Sequence, residues 1–306
     1  MQLTLSTHLL VYSRLEDGVL GALARSGFET VELWLAEPHV PWRDLQATAD
    51  LRARLEHAGL RAASVHLPFY PSVAELRDQG RKWSVLAQER EQRRIAVAGA
   101  AQGLRAAAVL GATRAVLHLG WQKDVWTPQS HAWARDAVAA LLPPAREHGV
   151  TLLLENIISE GTRARRLVAL LDELDPAGEA GVCLDLGHAH VEGGVLSQLQ
   201  DALPRLRHLH VHDNDGGEDQ HLCPGQGSIP WAEVLGFLQR AGYGGQGALE
   251  IRDASAGRDS AAQILEREGA QVRGFQQQWS RHGLLPAPAP APRRAPDAAP
   301  PRRSTP

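Results

Sequence analysis

Short apolar runs recur along the chain and alternate with longer polar-apolar segments, a pattern that predicts strands alternating with helices. The runs are rich in Val, Leu, Ile and Ala, which is typical of strands buried on both faces of a sheet. The eight predicted strands are Leu3–Thr7, Thr30–Trp34, Ala62–His66, Arg114–His118, Val150–Glu155, Gly181–Asp185, Arg207–His212 and Gln246–Ile251.

In the segments between these runs, apolar residues recur at the spacing expected of helices that bury one face. Three of them are followed by a glycine, Gly59, Gly111 or Gly149, as at left-handed C-terminal caps. Pro143 and Pro144 predict a kink or break in the third helix. The predicted helices are Trp42–His57, Ser84–Leu110, His131–His148, Thr162–Leu174, Gly194–Ala202, Pro230–Ala241 and Ser260–His282.

Eight strand-then-helix units predict an α/β fold of the (β/α)8 TIM-barrel type. A doubly wound open sheet is the competing fold, but it usually has fewer strands and a glycine-rich phosphate turn after the first one. The residues that follow the first predicted strand, HLLVYSRLEDG, contain no such turn. We therefore expect a single barrel domain over residues 1–284.

The composition changes near the C-terminus. Residues 285–306 contain eight of the nineteen prolines and almost no apolar side chains apart from Ala. Such a segment cannot bury enough surface to fold, so we expect a disordered Pro/Ala/Arg tail.

The bulk composition narrows the class of protein. Hydrophobic residues make up 43% of the 306 residues, enough for a large core, and the formal net charge is −3. This charge does not favour DNA as a partner, although a local basic patch would still permit it. Two cysteines are too few for a disulfide framework. With no signal peptide and no long apolar span, we expect a cytoplasmic protein outside the membrane.

Titratable side chains, which are energetically costly to bury, lie at the ends of six predicted strands. In a parallel barrel these ends converge on the mouth, where active sites lie. Burying such groups requires a common purpose, and the mixture of carboxylate and imidazole suits Zn²⁺, Mn²⁺, Co²⁺ or Fe²⁺. The strand-end residues are His66, His118, Glu155, Asp185, His210 and Glu250, with His188, His212, Asp219 and His221 close behind.

Other polar and aromatic residues near the mouth have two readings each. Glu32, inside the second strand, contacts either the substrate or an inward-pointing arginine. Trp34, Trp121 and Trp231 suit either sugar stacking or packing of loops on the barrel. Phe69 and Tyr70 either wall a pocket or form a base-stack wedge. Gly225 and Gly227 either present N–H groups to a phosphate or form a tight loop before Pro230.

Two further classes of protein are disfavoured by the residues. A Schiff-base aldolase needs an inward lysine, and no predicted strand contains one. A non-catalytic binding barrel would not need four buried candidate ligands.

These motifs resemble the xylose isomerase-like TIM-barrel superfamily, in particular its sugar phosphate isomerase/epimerase branch. The resemblance covers about residues 1–280 and rests on the segments VELW, SVHLPF, VLHLG, LLLEN, VCLDLGHAH, HLHVHDNDGGEDQHLCPGQGSIPW and ALEI. It implies an enzyme that isomerises or epimerises a sugar or sugar phosphate through a metal-stabilised enediolate. A homo-oligomer is compatible with it.

The resemblance also assigns roles at the site. It implies a metal ion held by Glu155, Asp185, His210 and Glu250, with Glu155 and Glu250 acting as the acid/base pair. Zinc, manganese and cobalt are the expected ions. The predicted substrate-binding residues are His188, His66, His118, His212 and Arg252. Many relatives have Lys at the position of His212.

A second function stays open within the same superfamily. The related endonuclease IV group builds a three-zinc site for phosphodiester hydrolysis. Its extra ligands are matched here by His66, His118, His188, Asp219 and His221. The number of bound ions, one to three, therefore separates the two functions.

Overall fold

The computed structural model describes residues 2–122 and 124–282, and their strands form a closed barrel. Neighbouring strands are parallel and follow chain order, and β8 pairs with β1 to close the barrel. The predicted TIM barrel is thereby confirmed. The strands are β1 (Gln2–Ser6), β2 (Thr30–Trp34), β3 (Arg61–His66), β4 (Arg114–His118), β5 (Thr151–Glu155), β6 (Gly181–Asp185), β7 (Leu206–Val211) and β8 (Gln246–Leu249).

Predicted and observed strands differ only at their ends. Strands β2, β4 and β6 coincide with their predictions, β3 begins one residue earlier, and the others are shifted or shortened by one or two residues. His212 and Glu250 therefore follow β7 and β8 directly, whereas both had been placed inside the predicted strands. Both still point to the mouth of the barrel, where the carboxyl ends of the strands meet.

Helices surround the barrel in the described part of the chain. Two short 3-10 helices, Thr7–Leu10 and Glu160–Thr162, lie in loops at the mouth. The α-helices are α1 (Asp17–Arg25), α2 (Leu45–His57), α3 (Val73–Gln79), α4 (Arg90–Leu110), α5 (Pro128–Glu147), α6 (Ala164–Leu174), α7 (Leu186–Val191), α8 (Val195–Ala202), α9 (Trp231–Arg240) and α10 (Ala261–Arg281).

Some helix predictions were wrong. Helices α1, α3 and α7 had not been predicted, and α4 begins six residues later than expected. Helix α2 begins after Asp44 because the Asp44 carboxylate accepts hydrogen bonds from the amides of Gln46 and Ala47.

The expected break in α5 is absent, and the helix runs through Pro143 and Pro144. Pro143 is exposed and Pro144 half-buried, whereas Leu141, Leu142 and Ala145 are buried against the rest of the fold. Packing of this apolar face holds the helix on both sides of the prolines, and this outweighs the lost backbone hydrogen bonds.

Three apolar clusters organise the interior. The largest joins the helices to the outside of the barrel. A small cluster of Val116, Leu153 and Cys183 lies apart from it, on inward positions of β4, β5 and β6. The third, which we call the mouth cluster, comprises Val11, Trp34, Ala36, Tyr70 and Val73. It packs the loop after β3 onto the end of β2.

No helix among the described residues is long and apolar enough to cross a bilayer. The predicted tail, residues 285–306, lies outside the described residues.

Candidate metal centre and active site

Inward-facing side chains at the carboxyl ends of the strands meet at the mouth of the barrel. Because side chains alternate along a strand, Glu155, Asp185 and His210 share the inward face with the residues two positions earlier. Glu250 reaches the same point from the residue after β8. Donor atoms of these four residues lie within 4.8 Å of one another, and we call them the quartet.

His210 is the centre of the quartet. Its Nδ1 lies 2.8 Å from Oε1 of Glu155 and 2.6 Å from Oε2 of Glu250. Oδ2 of Asp185 is 3.8 Å from the same nitrogen. Three carboxylates, two on strands β5 and β6 and one directly after β8, therefore converge on one imidazole nitrogen.

Glu155 divides its two oxygens between two groups of donors. Oε1 faces His210, whereas Oε2 lies 2.9 Å from Nε2 of His118 and 3.2 Å from Nε2 of His66. Donor atoms of His66, His118 and Glu155 form a second cluster within 4.8 Å. Glu155 thus links this cluster to the quartet.

A third cluster comprises His188, His212, Asp219 and His221. Oδ2 of Asp219 lies 3.3 Å from Nε2 of His188 and 3.2 Å from Nε2 of His221. Nε2 of His212 lies 2.9 Å from Oδ2 of Asp185, which connects this cluster to the quartet. The structure therefore brings together all the strand-end and loop residues that the sequence had singled out as candidate ligands.

The loop that carries Asp219 and His221 is held at its base. Asp213 and Leu222 exchange two backbone hydrogen bonds, of 2.8 and 2.9 Å. His221 has a φ of 49°, a left-handed conformation that a residue other than glycine rarely adopts. Its Nδ1 donates to the carbonyl oxygen of Glu250 at 2.7 Å. Such strain is typical of a residue that the surrounding structure holds for a purpose.

The charges of the site are balanced by protonated histidines when no other cation is present. Burial alone would lower the pKa of His210, but neighbouring groups, Cys183 and Glu155 among them, raise it well above its ordinary value. Burial likewise opposes charge on His221, yet Asp219 raises its pKa to about 9. For Glu250, burial is outweighed by His210, and the pKa falls to about 2. The Glu250 carboxylate is therefore ionised and attracts positive charge.

The donor set fits a divalent cation. Oε2 of Glu250 and Oδ1 of Asp219 are buried and make no hydrogen bond of acceptable geometry among the described residues. Carboxylate oxygens and imidazole nitrogens in one small volume are the ligands that zinc, manganese and cobalt accept. The residues present could thus hold such an ion.

A cavity of about 300 Å³ opens over these groups. His118, His188, Asp219, His221 and Glu250 lie at its polar end. The remaining wall is mainly apolar or aromatic and includes Val11, Trp34, Phe69, Tyr70, Val73, Leu76, Trp121 and Ile157. The cavity is therefore a small pocket with a polar base.

The predicted substrate-binding residues fall into two groups. His118, His188 and Arg252 line the cavity. His66 and His212 are fully buried and do not line it within the described part of the chain. Their substrate roles stay predictions.

His8 is a site residue that the sequence analysis missed. It follows β1 by two residues, and its ring stacks on Trp34 with centroids 4.4 Å apart. Its Nδ1 lies 3.9 Å from Oε1 of Glu250, and it lines the cavity. The signal that identified the other strand-end residues would have found His8, had it been applied two residues beyond the first strand.

Glu32 has no exposed surface, and among the described residues its carboxylate contacts Ser64, His208 and His210 rather than an arginine. The predicted arginine contact was therefore wrong, and the substrate contact stays a prediction. Glu32 lies inside the barrel beneath the quartet.

Some aromatic residues near the mouth line the cavity, and one packs against the rest of the fold. Trp34, Phe69, Tyr70 and Trp121 line the cavity. Trp231 instead packs against Phe275 and donates its indole N–H to Asp213.

Gly225 and Gly227 serve the loop between β7 and α9. The amide of Gly225 donates to Oδ2 of Asp213 at 2.7 Å. A Cβ at Gly227 would lie 2.2 Å from the carbonyl oxygen of Asn214. Close packing of this loop therefore accounts for both glycines, in agreement with the tight-loop reading.

Known proteins share both the sequence pattern and the fold. A family model described as a xylose isomerase-like TIM barrel matches residues 20–271. The protein named "Probable endonuclease 4" from Methanoculleus marisnigri is 27% identical, over 70% of this chain and 79% of its own. Fructoselysine 3-epimerase from Shigella flexneri is 23% identical, over 74% of this chain and 81% of its own.

A solved structure of the IOLI protein with a bound zinc atom has the same fold. Its TM-score is 0.73 at 15% identity, and the match covers 92% of this chain and 99% of that one.

Proposed function

Because this chain belongs to the xylose isomerase-like TIM-barrel family, we propose that it is a divalent-metal-dependent enzyme that isomerises or epimerises a sugar or sugar phosphate. The relative named fructoselysine 3-epimerase supports this class of reaction. The small aromatic-walled cavity supports a small-molecule substrate.

The observation that carries the proposal is the pair of glutamates at His210. Glu155 and Glu250 approach the same ring nitrogen, at 2.8 and 2.6 Å, from β5 and from the end of β8. Moving a proton from one side of a carbon and returning it on the other can use two general acid/base groups, and Glu is among the side chains that serve as such groups.

The quartet would hold the metal ion, with Asp185 and His210 as pure ligands. A bound divalent ion supplies a Lewis acid that polarises the carbonyl and hydroxyl oxygens of the substrate. Glu250, on the cavity wall, removes or returns a proton on the open side. Glu155 serves the other side, beneath His118, whose Nε2 is 2.9 Å from its Oε2.

Residues above the quartet orient the substrate and exclude water. His188 is fixed because its Nδ1 donates to the carbonyl oxygen of Asn156 at 2.7 Å, and its Nε2 faces Asp219 and the cavity. It is placed to bind a substrate hydroxyl. Arg252, on the same wall, offers a positive charge to a phosphate or another anionic group.

Solvent-proton exchange tests this function. The protein, loaded in turn with Mn²⁺, Co²⁺ and Zn²⁺, is incubated in D₂O with a panel of ketoses and ketose phosphates. Deuterium should enter the carbon next to the carbonyl and be visible by NMR. Glu155→Gln and Glu250→Gln should each reduce turnover by about 10²–10⁴-fold, as for loss of a general acid/base. The exposed Glu147→Gln serves as the matched control.

One observation favours a second candidate function, hydrolysis of a phosphodiester at a site with several metal ions. Glu155 links the quartet to the His66 and His118 cluster, and Asp219 with its histidines forms a further cluster beside it. The relative named "Probable endonuclease 4" fits this candidate. Sites with two ions close together occur in phosphatases and nucleases, where the ions stabilise the attacking and leaving oxygens.

Metal analysis and a nicking assay separate the two functions. Isomerisation predicts one ion per chain and no cleavage of abasic-site DNA. Two or three ions per chain, together with cleavage that EDTA abolishes, would establish the hydrolase instead.

A further inference from the structure

A carboxylate lies inside the barrel directly beneath the quartet, where barrel interiors are ordinarily apolar. Glu32, at the centre of β2, has no exposed surface. A buried carboxylate is costly unless it is paired and hydrogen-bonded. Its partners therefore indicate its purpose.

The two oxygens of Glu32 have different partners. Oε2 accepts a hydrogen bond from Oγ of Ser64 at 2.7 Å and lies 2.9 Å from Nε2 of His208. Oε1 faces Nε2 of His210 at 3.2 Å and has no hydrogen bond of good geometry among the described residues. Ser64 and His208 thus fix the carboxylate by one oxygen and leave the other facing His210.

This arrangement decides which nitrogen of His210 is available to a ligand. Carboxylates face both ring nitrogens, since Oε1 of Glu32 lies 3.2 Å from Nε2 and Glu155 and Glu250 approach Nδ1. Ionised carboxylates only accept hydrogen bonds, so without a cation both nitrogens carry a hydrogen. A cation held by Glu155 and Glu250 would replace the hydrogen on Nδ1, and the hydrogen on Nε2 would then face Glu32.

We propose that Glu32 is a positioning residue that holds His210 as the Nε2–H tautomer, with Nδ1 directed at the cation site of the quartet. Ser64 and His208 support Glu32 in turn. A carboxylate that accepts from the far nitrogen of a metal-binding histidine fixes the ring and raises its basicity as a ligand. The inference rests on the metal site of the proposed function.

A merely structural role for Glu32 predicts something different. If the carboxylate only satisfied Ser64 and His208, its loss would lower the melting temperature without changing the metal affinity of the folded protein. The affinity of the folded protein for metal, together with the tautomer of His210, therefore separates the two roles.

The test compares wild type, Glu32→Gln and Ser64→Ala, each stripped of metal and shown to be folded by circular dichroism. The dissociation constant for Zn²⁺ is measured by competition with a chromophoric chelator. Glu32→Gln should weaken Zn²⁺ binding by about 10–100-fold. Ser64→Ala, which removes one of the two contacts that hold Oε2 of Glu32, should have a smaller effect than Glu32→Gln. The exposed Glu147→Gln, far from the site, should change the affinity by less than about threefold.

Long-range ¹H–¹⁵N correlations of the zinc-bound protein give the second readout. They should show His210 protonated at Nε2 and ligated through Nδ1 in wild type, and this signature should be lost or mixed in Glu32→Gln. If Glu32→Gln does not fold, Glu32→Asp, which keeps the charge but withdraws the carboxylate, should also weaken zinc binding.

Unchanged affinity in a folded Glu32 variant, while wild type binds zinc, would overturn the role of Glu32 alone. A wild-type protein that binds no divalent ion would remove the proposed function and this inference with it.

Discussion

Oε2 of Glu250 lies 2.6 Å from Nδ1 of His210, so the carboxylate that follows the last strand meets the central imidazole of the strand before it. This contact joins neighbouring strands at the mouth of the barrel. It also places the Glu250 carboxylate, which lines the cavity, against His210. The carboxylates of Glu155 and Asp185 approach the same imidazole.

Removal of a quartet carboxylate should abolish metal binding. Glu155→Ala or Asp185→Ala leaves three donor residues in the quartet, His210 included, and we expect metal affinity to fall by more than the roughly 10–100-fold typical of losing a group that only orients a ligand. Elemental analysis after dialysis against trace metal measures the effect. Glu147→Ala, at an exposed site, should retain wild-type metal content.

Asp219 should not be needed for a single ion in the quartet. Asp219 contacts His188 and His221 rather than His210, so Asp219→Asn should leave one ion per chain. Titration of metal-free protein with Co²⁺, followed by absorbance, gives the stoichiometry. A wild-type value of two or three that falls in Asp219→Asn would contradict the single-ion site and favour the hydrolase.

Tyr70 should stabilise the mouth of the barrel through one buried hydrogen bond. The indole N–H of Trp34 donates to its hydroxyl at 2.7 Å, and both residues are buried. Tyr70→Phe leaves that N–H without its acceptor and should lower the free energy of unfolding by about 1–3 kcal/mol. Urea unfolding measures this. Tyr12→Phe, at a side chain 41% exposed, should cost less than about 0.5 kcal/mol.

His39 should make the protein less stable in acid. Burial lowers the pKa of its ring from 6.5 to about 4, despite the hydrogen bond of Nδ1 to the carbonyl oxygen of Ser13. Between these pH values the unfolded chain binds the proton and the folded chain does not. Stability therefore falls as the pH falls from about 6.5 to about 4, by about 3 kcal/mol from this group.

The comparison of His39→Gln with wild type isolates that contribution. Both proteins are unfolded in urea at several pH values in the presence of EDTA, so that titration of the site contributes equally to each. The variant should have the shallower dependence of stability on pH. Parallel curves would show that His39 binds its proton equally well in the folded and unfolded chains.

Asp213 should hold the loop that carries Asp219 and His221. Its carboxylate accepts hydrogen bonds from the amides of Gly225 and Ile229 and from the indole of Trp231. Asp213→Asn replaces one acceptor oxygen with a donor and should cost about 1.5–3 kcal/mol. Thermal unfolding measures this, with the exposed Asp201→Asn as control. A Tm change no larger than that of the control would show that the loop is held by other contacts.

The barrel and the ring of candidate ligands were predictable because both depend on local patterns. Runs such as TLLLE are apolar on both faces and end in a titratable residue that is costly to bury. The geometry of a parallel barrel then brings those ends together. The individual distances were not predictable. That Glu155 divides its oxygens between His210 and His118 depends on rotamers set by the whole mouth.

Other features could not be predicted from the sequence because they depend on tertiary contacts. Helix α7 has only six residues and begins where the Asp185 carboxylate accepts from the amide of His188. The role of Glu32 depends on β3 and β7, which lie far from it in sequence. Pro143 and Pro144 remain within α5 because packing of its buried face outweighs the tendency of proline to break a helix.

The pairing of β1 with β8 determines the stage of protein synthesis at which the candidate site can form. Gln2 pairs with Gln246 and Leu5 with Leu249, so β1 cannot complete its pairing until β8 has been made. A nascent chain that stops before β8 has an open sheet edge and lacks Glu250. It can complete neither the barrel nor the quartet, so a cation held by the quartet would mark a chain whose synthesis has passed β8.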